Sequence, residues 1–442
     1  MPVQPLLLPV SARQLLRVCH RLDTPALLYS GSSGSADDSY TRPRIILACQ
    51  PDELVSAHSL DDLNALIQRL QLPDKDTPEA IFRSGWLGYF GYDAGELLLK
   101  LRDVGSSATP LAEFGYYPLS LEIFPDTDEC WLWNVDACPD NRVQQLLQHL
   151  DATLALEPTE PEASAVLTTD WQPAWEFERY QQAFDQVQAY LRSGDAYQVN
   201  LTMPYYSQQD LRDHNPMALL QPFNAPFSGY FRTPALTLFS VSPERFIRVE
   251  QRLMTTSPIK GTAPRSSDAQ QDEHNREWLR NSAKNQAENL MIVDLLRNDL
   301  GMSAEIGTVK VEKLFDIESH ANVHHMVSTI VARVLKDLYP IDVIVSALPG
   351  GSITGAPKRR AMEIIRELEA DRRGLYCGSF GYVDNRGTCD FNILIRSIQA
   401  FAHGANCWAG GGIVIDSDAA GEYQEIKDKI GRLLGLNSLV SE

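Results

Sequence analysis

The chain has 442 residues, 44% of them hydrophobic and 22% charged, an ordinary globular balance that excludes wholesale disorder and suits two or three domains or one large α/β unit. Lysine and arginine number 39 against 58 aspartates and glutamates, a net charge of −19. That argues against nucleic acid or an anionic membrane as the main partner, since phosphate attraction needs a positive face.

No apolar run approaches the roughly 18 residues of a membrane span, and the first residues lack the basic stretch and long apolar core of a secretion signal. Seven scattered cysteines with no C-x-x-C pair fit neither a disulfide framework nor a zinc site, which predicts a cytoplasmic protein. In chain order, residues 26–30 and 44–48 read as strands and 60–72 as an amphipathic helix. Residues 86–93 (WLGYFGYD) place glycines beside large rings, where backbones can approach closely. Two prolines among acidic and small residues at 157–164 (EPTEPEAS) mark a linker, dividing 1–165 from 166–442. Phe177, Tyr180, Phe184, Val187 and Leu191 predict a helix over 176–192, ended by Gly194-Asp195 and followed by a strand at 197–203. Residues 236–241 and 245–249 predict strands bracketing a turn at Ser242-Pro243-Glu244.

Several later positions carry chemistry-bearing side chains. Lys260, between Ile259 and Gly261, is either a surface lysine in a turn or a desolvated, nucleophilic amine. Glu288 opens a helix over 287–299 that is apolar nearly all round, predicting burial; its carboxylate is then paired with helix-end charges or bound to a metal. Glu422, Glu425 and Lys429 share one face of the last helix, as a solvated salt-bridging stripe or as half of an oxygen-ligand Mg²⁺ site. The segment 348–358 (LPGGSITGAPK) has the glycine separation of a phosphate loop, but Ala356-Pro357 and Arg359 break the pattern, so a nucleotide is not expected there. Thr354 and nearby amides can still meet a carboxylate, as can the backbone of Gly410-Gly411-Gly412; a plain tight turn is the alternative for both. Arg396, in a strand-like run over 392–398, can pair bidentately with a substrate or a protein carboxylate. His324-His325 read as core histidines or as acid/base groups.

In this order the motifs SPERF (242–246), PIKGT (258–262), AENLMIVDLLRND (287–299), VHHMVST (323–329), PGGSITGAPKRRAMEII (349–365), CGSFGY (377–382), AGGGIV (409–414) and EYQEIKDK (422–429) resemble the chorismate-utilising enzymes. Within them the chain is most similar to the aminodeoxychorismate synthase component I branch, which has a lysine at position 260 where anthranilate synthase component I usually has alanine. The resemblance is dense from about residue 170 and thinner before it, at LLYSG (27–31) and GYFGYD (88–93).

It implies an α/β (α+β) fold: large stacked antiparallel sheets in a sandwich-like core, helices outside, and two intertwined subdomains, an N-terminal region 1–165 and a chorismate-binding region 166–442. It implies Mg²⁺ held by Glu288 and Glu425, with Glu422 one turn away, and a substrate set of Thr354, Arg396, Gly410, Gly411, Gly412, Lys429 and His325. Glu244 is implied as general acid and Lys260 as covalent nucleophile in the amination of chorismate by ammonia. The ammonia would come from a separate glutaminase subunit, because Cys377 lacks the Gly-x-Cys-x-Gly context of such enzymes. An amino-acid pocket, able to hold tryptophan, is implied at Ser30, Tyr40, Pro226, Phe227 and Ser228, with Tyr29 replacing the usual glutamate. Anthranilate synthase chemistry, or a non-catalytic amino-acid-binding regulator, are the alternatives.

Overall fold

The computed structural model describes residues 5–30, 44–75, 81–101, 109–136, 138–155, 171–319 and 323–436. Among these the chain forms two antiparallel sheets, of twelve and ten strands, with helices outside them. The strand Arg44–Ala48 shows how the sheets stack. Ile45 and Leu47 join the core beneath the outer helices, while Ile46 and Ala48 join a central core shared with Leu87, Tyr89, Phe380 and Tyr382 of the second sheet. Such strands read as continuous apolar runs because both faces are buried. The sheets approach so closely that a Cβ on Gly229 would lie 2.4 Å from the Phe380 ring, and Phe231 meets Phe380 at 6.1 Å between centroids.

Both sheets draw strands from either side of residue 165. In the first, Ala26–Ser30 pairs with Phe227–Arg232, setting Tyr29 opposite Ser228. In the second, Gly85–Phe90 pairs with Ser379–Asp384, setting Gly88 opposite Gly381. This is the intertwining the resemblance implied. The linker at 157–164 lies outside the described residues.

Local signals place several elements as read. The helix Leu60–Leu70 begins at a capping box in which Ser59 and Asp62 bond each other's backbone N–H. The helix Phe177–Ser193 ends on Gly194 at φ +80°. The strands Thr237–Ser242 and Arg245–Glu250 also stand as read, but they lie in different sheets, the first in the twelve-stranded one and the second in the ten-stranded one, and the turn between them carries the chain across. One reading is corrected. The helix at 287–299 runs Ala283–Gly301 and is not buried all round; Ile292, Val293, Leu296 and Leu300 face the core, while Leu290 is 46% exposed. Apolar residues outnumbered the positions the core could take.

None of the seven cysteines is joined in a disulfide, and no helix among the described residues is long and apolar enough to cross a membrane.

Candidate active site

A cavity of about 430 Å³ opens where the ends of the two sheets meet the helix Ala283–Gly301 and the C-terminal helix Ala419–Leu434. Its position follows from two crossings. The chain leaves the first sheet after Ser242 and enters the second at Arg245; it returns between Asn392 and Ser397. The crossings lie side by side, with the Ile393 N–H donating to Glu244 O at 3.1 Å, the Val241 N–H to Arg396 O at 3.1 Å, and Ser242 Oγ to Ile393 O at 2.7 Å. Pro243 and Glu244 of the first crossing and Ile395 and Arg396 of the second line the cavity, Glu244 and Arg396 with charged side chains. Arg396 is therefore not in a strand, as read from 392–398, but in the return crossing at φ +49°.

Lys260 is aimed by a β-bulge. In the strand Ile259–Pro264, Ile259 pairs with Val327 but Thr262 pairs with His325, so three steps on one strand match two on the other. The extra residue is absorbed at Lys260-Gly261, with Gly261 at φ +86°, and Lys260 lines the cavity. A Cβ on Gly261 would lie 2.8 Å from Asn285 Cγ and 2.9 Å from Leu279 Cδ1, so glycine is required by conformation and by space.

The histidine pair splits across its strand. His325 lines the cavity, its Nδ1 3.0 Å from Thr262 Oγ1. His324 is buried on the other face between Ser319 Oγ (2.8 Å) and Asp272 (3.2 Å), a structural position.

The loop 348–358 contributes differently from the expectation. Thr354 is fully buried and its hydroxyl donates to Gly350 O and Gly351 O at 3.0 and 3.2 Å, so it binds its own loop and does not line the cavity. The loop's polar side chain in the cavity is Ser352, which donates to Glu244 Oε1 at 3.2 Å. Lys358 is turned away, pairing with buried Asp299 at 2.7 Å, while Asp299 also accepts from the Gly351 N–H at 3.1 Å.

Gly410, Gly411 and Gly412 lie on the strand Gly404–Ile413 and form one wall without side chains. The C-terminal helix packs across it: a Cβ on Gly411 would lie 2.8 Å from Glu422 Oε2 and 3.6 Å from Lys429 Nζ. Lys429 Nζ donates to Gly410 O at 2.9 Å and pairs with Glu425 at 2.7 Å. Glu422 accepts from Ser417 Oγ at 2.7 Å, and Glu288 is 3.9 Å from Lys284. Glu288 is part-exposed, not the buried carboxylate expected of an all-apolar helix. No three His, Cys, Asp or Glu side chains among the described residues converge into a ready-made metal cage.

Charge is unevenly tuned. Burial pushes the Glu244 carboxyl above its ordinary range, and Lys260, Ser352 and Arg396 pull it partly back. Burial likewise lowers Arg396, offset by Glu244. Glu422 is raised by burial and by neighbouring Glu425, against the pull of Ser417, Lys429 and Lys284.

Other lining residues went unread. Gln198 and Asn200 are buried polar residues on the strand Gln198–Ser207, alternating with Val199, Leu201 and Met203, which face the outer core. That alternation was the available signal. Tyr376 stacks on Trp408 at 5.9 Å and 15°, and both line the cavity; nothing in their local sequence marks them.

Of the expected amino-acid pocket, Tyr40 lies outside the described residues, and for Ser30 only the backbone is described. The strand pairing brings Tyr29 to the 224–228 segment, where its hydroxyl donates to Asn224 Oδ1 at 2.8 Å. Ser228 Oγ donates to Ala225 O at 2.9 Å, and Phe227 lies beneath the Arg245 guanidinium at 4.7 Å, next to the partly buried Pro226.

Comparison with known proteins gives a consistent picture. Residues 25–435 match the family described as chorismate binding enzyme. The chain is 40% identical over 425 residues to aminodeoxychorismate synthase component 1 of Klebsiella aerogenes, covering 92% of each chain. It is 36% identical over 367 residues to an anthranilate synthase component I-like protein of Synechocystis, covering 81% of this chain and 74% of that one. Anthranilate synthase component I from Streptococcus pneumoniae superposes with a TM-score of 0.78 at 26% identity, over 90% of this chain and 94% of that one. The menaquinone-specific isochorismate synthase MenF of Escherichia coli shares the fold at a TM-score of 0.72 and 19% identity, over 98% and 94%. With a family match running through both sheets and every element that lines the cavity, the chain belongs to the chorismate binding enzyme family.

Proposed function

We propose that this chain aminates chorismate, replacing its C4 hydroxyl with an amino group to give 4-amino-4-deoxychorismate for 4-aminobenzoate and folate synthesis. The observation that carries the reading is the bulge that turns Lys260 into the same cavity as Glu244. The C4 hydroxyl leaves poorly unless protonated, and Glu244, with its carboxyl pushed up by burial, is suited to hold and deliver that proton. The Lys260 amine forms a bond to C2 as the C4–O bond breaks, the two ring double bonds shift, and water leaves. Ammonia then bonds to C4, the double bonds shift back, and the C2–N bond to Lys260 breaks. Arg396, Lys429, His325 and the backbone at Gly410, Gly411 and Gly412 surround the substrate's anionic and polar groups.

Glu288 and Glu425 would hold Mg²⁺, with Glu422 behind them. The donor set fits, because Mg²⁺ is commonly held by few carboxylates with waters and substrate, and Glu422 sits among negative charge that a cation relieves. Bound there, the ion supplies positive charge for a substrate carboxylate.

Ammonia is proposed to come from a partner glutaminase. Cys377 is buried, and burial pushes its thiol up to about 12, unsuited to a thiolate nucleophile. The segment around Tyr29 and Ser228 is proposed as a tryptophan pocket.

The test is product analysis of the purified chain with chorismate, Mg²⁺ and an ammonium salt, together with intact mass spectrometry without ammonium. We expect a product that a lyase converts to 4-aminobenzoate, and an adduct that Lys260→Ala abolishes. Anthranilate as product would replace this reading with amination at C2. Turnover without any adduct would remove the covalent step alone.

A further inference from the structure

At one end of the cavity three carboxylates, Glu288, Glu422 and Glu425, line the wall with two ammonium groups, Lys284 and Lys429. The two lysines are not equivalent. Lys284 is 83% exposed and 3.9 Å from Glu288, a loose surface pair of little energetic weight. Lys429 is held at two points, 2.7 Å from Glu425 Oε1 and 2.9 Å from Gly410 O, and its ammonium lies 3.6 Å from where a Gly411 side chain would begin. It therefore rests on the side-chain-free wall of the cavity, on a carboxylate that the proposed function assigns to a cation. A divalent ion and an ammonium cannot both sit against Glu425 at contact distance without strong repulsion.

We propose that Lys429 is an exchangeable counter-ion: a divalent cation takes Glu425 from it, and the released ammonium takes a carboxylate of the substrate. Resting on the chorismate reading, this makes Lys429 a positioning residue that couples two ligands. A cation binding alone must break the Lys429–Glu425 pair. A cation binding with substrate gives the displaced ammonium a new anionic partner. Cation and substrate then favour one another, and the coupling is reciprocal by linkage. The Gly410 carbonyl keeps the lysine on the strand during the exchange, so its head need swing only from one carboxylate to another.

The experiment is Mn²⁺ titration by calorimetry and by electron paramagnetic resonance on the full chain. It uses the Lys260→Ala background, which blocks the covalent step, with and without chorismate. Lys429→Gln is the diagnostic variant, because its amide can still donate to Gly410 O but carries no charge; a melting curve confirms that it folds. Without chorismate, Lys429→Gln is expected to bind Mn²⁺ roughly threefold to tenfold more tightly, through removal of a competing positive charge. The tightening of Mn²⁺ by chorismate should shrink by a similar factor, and Lys429→Arg should keep the parent pattern. Unchanged or weaker Mn²⁺ binding by Lys429→Gln in the absence of chorismate overturns the exchange while leaving the cation site standing. So does a parent protein in which chorismate has no effect on Mn²⁺. Failure of both proteins to bind Mn²⁺ removes the cation reading and this inference together.

Discussion

Glu244 shows how much a single residue's role depends on surroundings the sequence does not print. Its motif placed it in a turn, but only the two adjacent crossings bring it against Ser352, Lys260 and Arg396. Because burial raises its carboxyl, the protonated form persists above the usual carboxylate range, and a general acid acts only while protonated. Activity should therefore fall as pH rises through that elevated pKa. Glu244→Gln should lose the descending limb in kcat/KM and lower kcat by roughly 100- to 10,000-fold; a variant with the parental pH profile would deny Glu244 this role. Lys260 was legible only in part: the following glycine marked a turn or an unusual backbone, but a surface lysine and one turned into a cavity read alike until the partner strand is known. Thr354 was not legible, since a hydroxyl next to a glycine loop can face a ligand or its own backbone, and here it takes the backbone.

At the scale of elements, the helices read at 60–72 and 176–192 and the strands at 26–30, 44–48, 197–203, 236–241 and 245–249 followed from periodicity and turn chemistry, whereas the bulge did not. Its cue, an extra residue between Ile259 and Thr262, exists only relative to the partner strand sixty-odd positions away. Gly261→Ala puts a side chain at φ +86° against Asn285 and Leu279. It should cost about 1–3 kcal/mol of stability and, by re-aiming Lys260, about 100-fold in kcat, with a smaller change in KM. Denaturant melts alongside steady-state kinetics would check both. Wild-type kcat in a folded Gly261→Ala protein would mean that the bulge does not aim the lysine. The helix at Ala283–Gly301 carries the opposite lesson: its apolar excess overstated burial, because hydrophobic residues also populate the outside of large proteins.

At the scale of the whole molecule, sheet membership was the least legible property. Strands buried on both faces look alike in sequence, and their partners lie as far apart as Ala26–Ser30 and Phe227–Arg232. One consequence concerns the division at residue 165. A fragment of residues 166–442 would expose the edges of Phe227–Arg232 and Ser379–Asp384 and strip partners from the central core. It should be insoluble alone and recover as a soluble complex when 1–165 is co-expressed. Sedimentation of the two preparations would show this, and a soluble, monomeric, active 166–442 fragment would mean that the halves are independent.

The paired crossings have a mechanical reading as well. They are two short struts, tied to each other by three hydrogen bonds, that join one hydrogen-bonded framework to the other. Any sliding of one sheet over the other must pass through these struts as torsion. Glu244 and Arg396 sit on the struts themselves, while Lys260 and the glycine wall ride on opposite frameworks. The spacing between Glu244 and Arg396 is thus set where the frameworks are joined, whereas the gap from Lys260 to the glycine wall spans from one framework to the other.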